Sequence, residues 1–268
     1  MVAINQIHNA NCLDVLKQMD DSFIDLTITS PPYDGQRIYN GYVFDFENIA
    51  RELYRVTKHG GVVVWIVNDQ TIDGSETGTS FRQALFFKDI GFNLHDTMIY
   101  RKNSLTFPDT NRYYQCWEYM FVLSKGKPKT VNLIRDKVNK QSGKTITGNY
   151  RDTDGSLKEM IGSKKKRSIK DLGVRWNIWE YNTGWQHSYK EEYLRKHPAI
   201  YPEKLAEDHI LSWSNPGDLV LDPMCGSGTT CKMAKLNGRK YIGIEISEEY
   251  CKLANRRVEE AGGIHVGK

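Results

Sequence analysis

Thr29-Ser30-Pro31-Pro32-Tyr33 brings a hydroxyl, a prolyl carbonyl and a flat aromatic ring together within a few residues. Two acceptors on a stiff proline turn suit an amine whose lone pair is delocalised into a ring, as in cytosine or adenine. Accepting both N–H groups draws the nitrogen toward tetrahedral geometry and restores its lone pair, with little reorganisation in the transition state. Proline ends a central strand, which leaves the Pro31 carbonyl without a ladder partner. Tyr33 offers a face on which a base flipped out of a duplex can stack. Taken alone, the same residues also describe a strand that stops in a rigid turn with a surface tyrosine.

Near the other end, Asp222-Pro223-Met224-Cys225-Gly226-Ser227-Gly228-Thr229 lies between a strand pattern and a helix pattern. Its glycines let backbone approach a ligand closely, and the helix that follows offers free N–H groups. It is neither a Gly-x-Gly-x-x-Gly fingerprint nor a Walker A loop, and by itself it equally describes a tight structural turn. Glu245 ends the next strand, where a carboxylate can accept both hydroxyls of a ribose. The competing role for Glu245 is a helix-capping acid, since Ser247 and Glu248 suit a helix start.

The elements that must hold these loops alternate along the chain. Strands are expected at 24–29, 62–67, 97–100, 119–123, 219–221 and 241–246, with His59-Gly60-Gly61 as a break before the second. Helices are expected at 46–56, 80–90, 202–212, 229–236 and 247–260. This alternation implies an α/β fold with a mostly parallel sheet covered on both faces. From Ser124 to about His187 the periodicity is lost.

That aperiodic stretch is also where the charge sits. Lys125 to Arg175 holds fifteen Lys and Arg against five Asp and Glu, a net +10, so the rest carries −6 of the overall +4. Such asymmetry suggests a polyanion partner, although a charge run is often only a solvated face. Lys164-Lys165-Lys166-Arg167 is its densest part. Arg175, Trp176, Trp179 and Trp185 follow, as base-reading or wedging side chains or as a small core for the insert. Five scattered cysteines without a Cys-x-x-Cys pair argue against a disulfide framework or a zinc site. No apolar run reaches the roughly 20 residues that span a bilayer, and the first residues lack a signal-peptide layout. A cytoplasmic protein is the expectation.

The two motifs, in this order, resemble those of the permuted (beta-class) amino-methyltransferases of DNA. The resemblance covers about residues 5–125 and 195–260. It implies a Rossmann-like S-adenosylmethionine-dependent methyltransferase fold with a mostly parallel seven-stranded sheet. On it, residues 1–124 form the catalytic half, 125–190 an inserted basic target-recognition region and 191–268 the cofactor half. Asp222, Gly226, Gly228 and Glu245 match the family's cofactor site, which implies contacts from Pro223, Cys225, Ser227, Thr229 and Ile246 as well. His197-Pro198-Ala199-Ile200-Tyr201-Pro202 resembles the methionine-binding motif, with a helix opening after Pro202 to meet a carboxylate. Asn11 and Cys12 stand where relatives place an Asp near the adenine; Asn11 can accept from an adenine amine but brings no charge.

Ser at position 30 bears on the base. A hydroxyl can accept from the amine and donate to the adjacent ring nitrogen, whereas an ionised Asp only accepts. In the family, Ser-Pro-Pro-Tyr mostly marks N4-cytosine enzymes and Asp-Pro-Pro-Tyr N6-adenine ones. A C5-cytosine enzyme would need a Pro-Cys nucleophile, and the chain has no such dipeptide. The expected activity is therefore methyl transfer from S-adenosylmethionine to cytosine N4 in duplex DNA, by base flipping and direct in-line attack, with Ser30, Pro31, Pro32 and Tyr33 as the catalytic turn. The alternatives are adenine N6, RNA or protein glutamine as substrate, or a catalytically silent DNA-binding subunit. Expected DNA contacts are Arg37, Tyr39, Lys164, Lys165, Lys166, Arg167, Arg175 and Trp176. A homodimer and a cognate restriction endonuclease are the further partners considered, with no membrane role and no metal.

Overall fold

A computed structural model describes residues 2–32, 44–103, 110–196 and 200–262. The chain divides into two compact units, residues 1–132 with 177–268, and residues 133–176. Among the described residues no helix is long and apolar enough to cross a membrane.

The larger unit is built on one sheet. Its strands are β1 (Gln6–Asn9), β2 (Ile24–Thr29), β3 (Thr57–Val67), β4 (Asn93–Lys102), β5 (Trp117–Ser124), β6 (Ile178–Tyr181), β7 (Leu219–Asp222) and β8 (Lys240–Glu245). Their spatial order is β1-β8-β7-β2-β3-β5-β4-β6. Every neighbouring pair is parallel except those made by β5, which runs against both β3 and β4. The sheet has eight strands where seven were expected. The extra one is β6, a four-residue edge strand inside the stretch whose periodicity is lost, with only Trp179 and Tyr181 buried. Strand β1 also escaped the sequence reading, because Ile7 is its single buried residue.

Helices α1 (Cys12–Leu16), α2 (Phe46–Val56) and α3 (Thr79–Asp89) cover one face; α4 (Glu203–Trp213), α5 (Thr229–Leu236) and α6 (Glu248–Glu260) cover the other. Helix α2 forms because Asp45 accepts the Asn48 N–H at its start while Ile49, Ala50, Leu53 and Val56 fall on one buried stripe. Strand β3 is apolar throughout Val62–Val67 because both of its faces are covered. The expected break at His59-Gly60-Gly61 is absorbed into β3, where the register with β2 shifts between Ile24 and Leu26. Gly60 takes φ +81°, and a Cβ there would lie 2.8 Å from Lys129 Cβ, so the glycine permits the irregularity rather than ending the strand.

Lys125, counted with the basic run, does structural work in the larger unit. Its ammonium donates to the carbonyls of Tyr54 (2.8 Å) and Thr57 (2.9 Å) and lies 4.6 Å from the Tyr54 ring centroid. It satisfies carbonyls at the end of α2.

The smaller unit holds two short antiparallel ladders, Lys137–Val138 with Leu172–Gly173 and Asn149–Arg151 with Leu157–Glu159. Residues 149–151 and 157–159 are all exposed. The Arg175 guanidinium is paired with Asp136, and the Lys137 ammonium lies 5.0 Å from the ring centroid of Trp176, which is exposed.

Candidate active site

The sheet reverses direction of build between β7 and β2: from β7 the chain winds through α5 to β8 on one side, while β2 leads through α2 to β3 on the other. At such a switch point the loops leaving the two strands diverge and open a crevice above their carboxyl ends, where ligands bind in open α/β sheets. β2 and β7 are paired at Leu26↔Val220 and Thr27↔Leu221. Ser30, the first residue beyond β2, and Pro223, the first beyond β7, therefore leave the sheet side by side. The Thr230 hydroxyl in the first turn of α5 donates to the Ile28 carbonyl on β2 (3.3 Å), tying the two loops together.

Asp222 sits at the bottom of this crevice and is 1 % exposed. It accepts the Tyr201 phenol (3.2 Å) and the Met224 N–H (3.2 Å), and Tyr201 is bonded in turn to Thr230. Burial raises the Asp222 carboxyl to about 6; the Thr29 hydroxyl beside it, the Met224 amide, Thr230 and Tyr201 work in the opposite direction. Held ionised above pH 6, this carboxylate costs the folded protein about 3 kcal/mol relative to an exposed Asp, an order-of-magnitude figure. A cation seated against it would offset that cost.

Between Asp222 and α5 the loop is held from below. Cys225 N–H donates to the Ile244 carbonyl (2.9 Å) and Gly228 N–H to the Cys225 carbonyl (2.7 Å). Gly228 takes φ +76°, and a Cβ there would stand 3.0 Å from the Ala254 Cβ of α6. Only glycine allows both this backbone and this approach. Among the described residues no side chain caps α5, which leaves its first N–H groups to a ligand. Cys225 and Cys231 are buried beneath the loop; the hydrogen bond to the Cys231 thiol and burial raise the Cys225 thiol well above its ordinary range, consistent with packing rather than reactivity.

Glu245 reaches back to the same loop. One of its oxygens accepts the Gly226 N–H (2.9 Å) and the other the Ser247 N–H (2.8 Å). Burial raises its carboxyl, opposed by those backbone N–H groups. Ser247 is the actual N-cap of α6, accepting from Tyr250 N–H (3.4 Å). The carboxylate is thus fixed in place with a lone pair left on each oxygen, which suits a diol donating two hydrogen bonds. Ile246 beside it is exposed, an apolar surface fit for the face of an aromatic ring. On the far side of β8, the Asn9 amide donates to the carbonyls of Glu245 (2.9 Å) and Ile246 (3.1 Å), which brings Asn11 and Cys12 to the same end of the sheet. Asn11, however, spends its side-chain oxygen as the N-cap of α1, accepting from Leu13 N–H (2.9 Å).

The switch point therefore gathers Ser30, Pro31 and Pro32 on one side and Asp222 to Thr229 on the other, with Glu245 and Ile246 at the end of the next strand. Tyr33, Arg37, Tyr39, His197 and Pro198 lie outside the described residues, as does the side chain of Lys164. Lys165, Lys166, Arg167, Arg175 and Trp176 belong to the smaller unit. Two residues of the larger unit gained no individual role from the sequence. Tyr201 was visible only as part of a segment, and its bond to Asp222 spans 21 residues. Arg257 is not singled out by any motif, although it follows Cys251 and Ala254 on the buried stripe of α6.

The fold is the one that solved DNA methyltransferases adopt. PvuII DNA methyltransferase (cytosine-N4-specific) superposes with a TM-score of 0.68 over 94% of this chain and 85% of that one, at 19% identity. M1.HpyAVI, solved as a SAM complex, superposes with a TM-score of 0.60 over 94% and 98%, at 24% identity. The chain belongs to the N6/N4 DNA methylase family, whose pattern matches residues 24–256. It is 62% identical over 245 residues, 91% of each chain, to the orphan methyltransferase M.BamHII of Bacillus amyloliquefaciens.

Proposed function

We propose that this DNA methyltransferase belongs to the permuted class and transfers the methyl group of S-adenosylmethionine to N4 of cytosine in duplex DNA. The observation that carries the reading is the pairing of β2 with β7, which sets the Ser30 turn beside the loop that starts at Asp222. The residues present fit the cofactor. Glu245 takes the ribose diol, Ile246 packs on the adenine with Asn11 and Cys12 nearby, and the backbone of Pro223, Cys225, Gly226, Ser227, Gly228 and Thr229 lines the chain between. Asp222 faces the cationic end, and the segment His197-Pro198 to Pro202 receives the methionine carboxylate. When bound, S-adenosylmethionine supplies an electrophilic methyl carbon on a sulfonium.

The chain's own residues prepare the nucleophile. Ser30 and the Pro31 carbonyl accept the two amine hydrogens, Pro32 keeps the turn rigid, and Tyr33 stacks on the flipped base. Alignment supplies much of the rate. No side chain forms a covalent bond to the base: the N–C bond forms as the methyl C–S bond breaks, its electron pair staying on sulfur, and the extra amine proton passes to water afterwards because a serine hydroxyl is too weak a base to remove it early. The Ser30 hydroxyl can also donate to the ring nitrogen beside the amine, N3 of cytosine or equally N1 of adenine; cytosine is put first because Ser-Pro-Pro-Tyr mostly marks N4-cytosine enzymes in the family. The likeness to an orphan methyltransferase supports action as a solitary enzyme.

The test is to incubate the protein with unmethylated duplex DNA and methyl-labelled cofactor and to identify labelled nucleosides by mass spectrometry. N4-methyldeoxycytidine is expected. N6-methyldeoxyadenosine would overturn the base assignment while keeping the chemistry, and label in RNA or protein alone would overturn the substrate.

Cofactor affinity is expected to depend on pH through Asp222. Its carboxyl is raised to about 6 in the ligand-free protein, so below that pH it takes a proton and no longer attracts a cation. Affinity should fall by up to about tenfold per pH unit from 6 downward, measured by calorimetric titration between pH 5 and 8. Asp222→Asn should bind weakly and show no such slope.

The exposed cluster Lys165, Lys166 and Arg167, with Lys164, supplies phosphate contacts; Arg175 and Trp176 extend them. Replacing Lys165, Lys166 and Arg167 together by Gln is expected to lower the slope of log affinity against log salt by about 2 to 3, roughly one per lost contact. An unchanged slope would remove these residues from the DNA interface.

A further inference from the structure

Among the described residues Arg257 is the largest polar side chain that is fully buried, at 1% exposure. It leaves α6 and divides its donors among three separate stretches of chain. Nη1 donates to the Ser227 carbonyl (3.3 Å), the Ser227 hydroxyl (3.2 Å) and the Thr229 hydroxyl (2.8 Å). Nη2 donates to Glu203 in the first turn of α4 (2.7 Å), and Nε to Glu191 (3.1 Å). Lys232 of α5 closes the cluster by donating to the same two carboxylates, at 2.6 Å and 2.5 Å.

Two cations thus face two carboxylates, with Arg257 fully buried and the other three side chains 15–24% exposed, so the buried charge is paired, the condition under which it is tolerated. Burial alone would push the Glu191 carboxyl up, but the Arg257 guanidinium and the Lys232 ammonium hold it at about 2. Glu191 therefore stays ionised across the working range of pH. A planar fork with five donors can reach all of these acceptors at once, and an ammonium cannot.

What the fork joins is specific. Ser227 and Thr229 are in the loop beneath the cofactor, and Glu203 follows Pro202 and Tyr201, which bonds Asp222 from the opposite wall. Glu191 anchors the chain just before that wall. We infer that Arg257 is a positioning residue for cofactor binding, setting the Ser227–Thr229 loop at a fixed distance from the Tyr201–Glu203 segment so that both meet one ligand. This rests on the reading of the crevice as the S-adenosylmethionine site. The guanidinium touches neither cofactor nor base and acts through the two walls.

The test compares wild type, Arg257→Lys and Glu203→Gln by calorimetric titration with S-adenosylmethionine, steady-state methylation and thermal unfolding. Arg257→Lys keeps a buried cation opposite Glu191 and Glu203 but loses the loop contacts. It is expected to raise Kd and KM for S-adenosylmethionine by about 10- to 100-fold, with kcat at saturating cofactor within about twofold of wild type and DNA affinity unchanged. Glu203→Gln, whose side chain is 24% exposed, opens no cavity and should raise the same Kd several-fold. It decides the matter if the Lys variant does not fold. Arg257→Ala should recover part of its cofactor affinity when guanidinium ion is added, which a general loss of stability would not reverse. Cofactor binding at wild-type strength in the folded variants, with only the unfolding temperature lowered, would overturn the inference. A wild-type protein that fails to bind S-adenosylmethionine would overturn the cofactor site itself.

Discussion

Ser30→Ala is expected to lower kcat for DNA methylation by about 100- to 1000-fold while leaving S-adenosylmethionine and DNA affinity within about twofold. The size follows from what a single preorganised hydrogen-bond partner at the reacting centre contributes, about 3–4 kcal/mol in the transition state. The split between kcat and binding follows from position. Ser30 leaves β2 beside the loop proposed to hold the cofactor, whereas the ribose and the cationic end are assigned to Glu245 and Asp222. Single-turnover methylation with calorimetric titration of both ligands measures all three quantities. Methylation at wild-type rate would remove Ser30 from the chemistry, and a loss confined to cofactor affinity would move it to the binding wall.

Glu245→Gln, ordinarily a mild change, is expected to weaken S-adenosylmethionine binding by at least about 100-fold. Both carboxylate oxygens already accept a backbone N–H, one from Gly226 and one from Ser247. A glutamine must therefore turn its NH2 group against one of those donors whichever way it is flipped. One N–H of the loop is then left unsatisfied, and one acceptor for the ribose is lost; hydrogen bonds to a charged partner contribute about 1.5–3 kcal/mol each. Glu245→Asp keeps the charge but falls short of both N–H groups and should bind weakly too. Titration of each variant checks this, with far-ultraviolet circular dichroism to show that α6 still forms. A Gln variant that binds as wild type would assign Glu245 to capping α6 and take the ribose elsewhere.

How much of this was legible in the sequence depends on whether a residue's neighbours along the chain are also its neighbours in space. The two loops announce themselves because proline and glycine restrict backbone locally, so Ser30-Pro31-Pro32 and Gly226-Ser227-Gly228 mark strand ends unaided. Helix α2 and strand β3 are equally plain from the stripe Ile49, Leu53, Val56 and the run Val62–Val67. β1 and β6 are not, because a four-residue edge strand with one or two buried side chains leaves too few apolar positions to set a period. Trp179 and Trp185 were grouped with Trp176 through proximity in sequence alone. Trp179 instead packs 4.6 Å from the buried His209 of α4, while Trp176 is exposed in the other unit. Arg257 and Tyr201 stayed without roles because their partners are 21 to 66 residues away, and no spacing rule reaches that far. Glu245 fell between: its place after the loop suggested ribose binding or capping, and it braces Gly226 while Ser247 performs the cap.

The seam between β2 and β7 also sets a timetable for synthesis. β2 emerges early, yet its partner on that side is assembled some 190 residues later, roughly 10–40 s at ordinary ribosomal speeds. Throughout that interval the nascent chain carries β2 with one edge open, an invitation to wrong pairing that β3 alone cannot close. The same delay has a protective side. The turn proposed as catalytic is made long before the crevice, so a chain released early from the ribosome, lacking β7 and β8, is expected to leave DNA unmethylated however well its first half has folded.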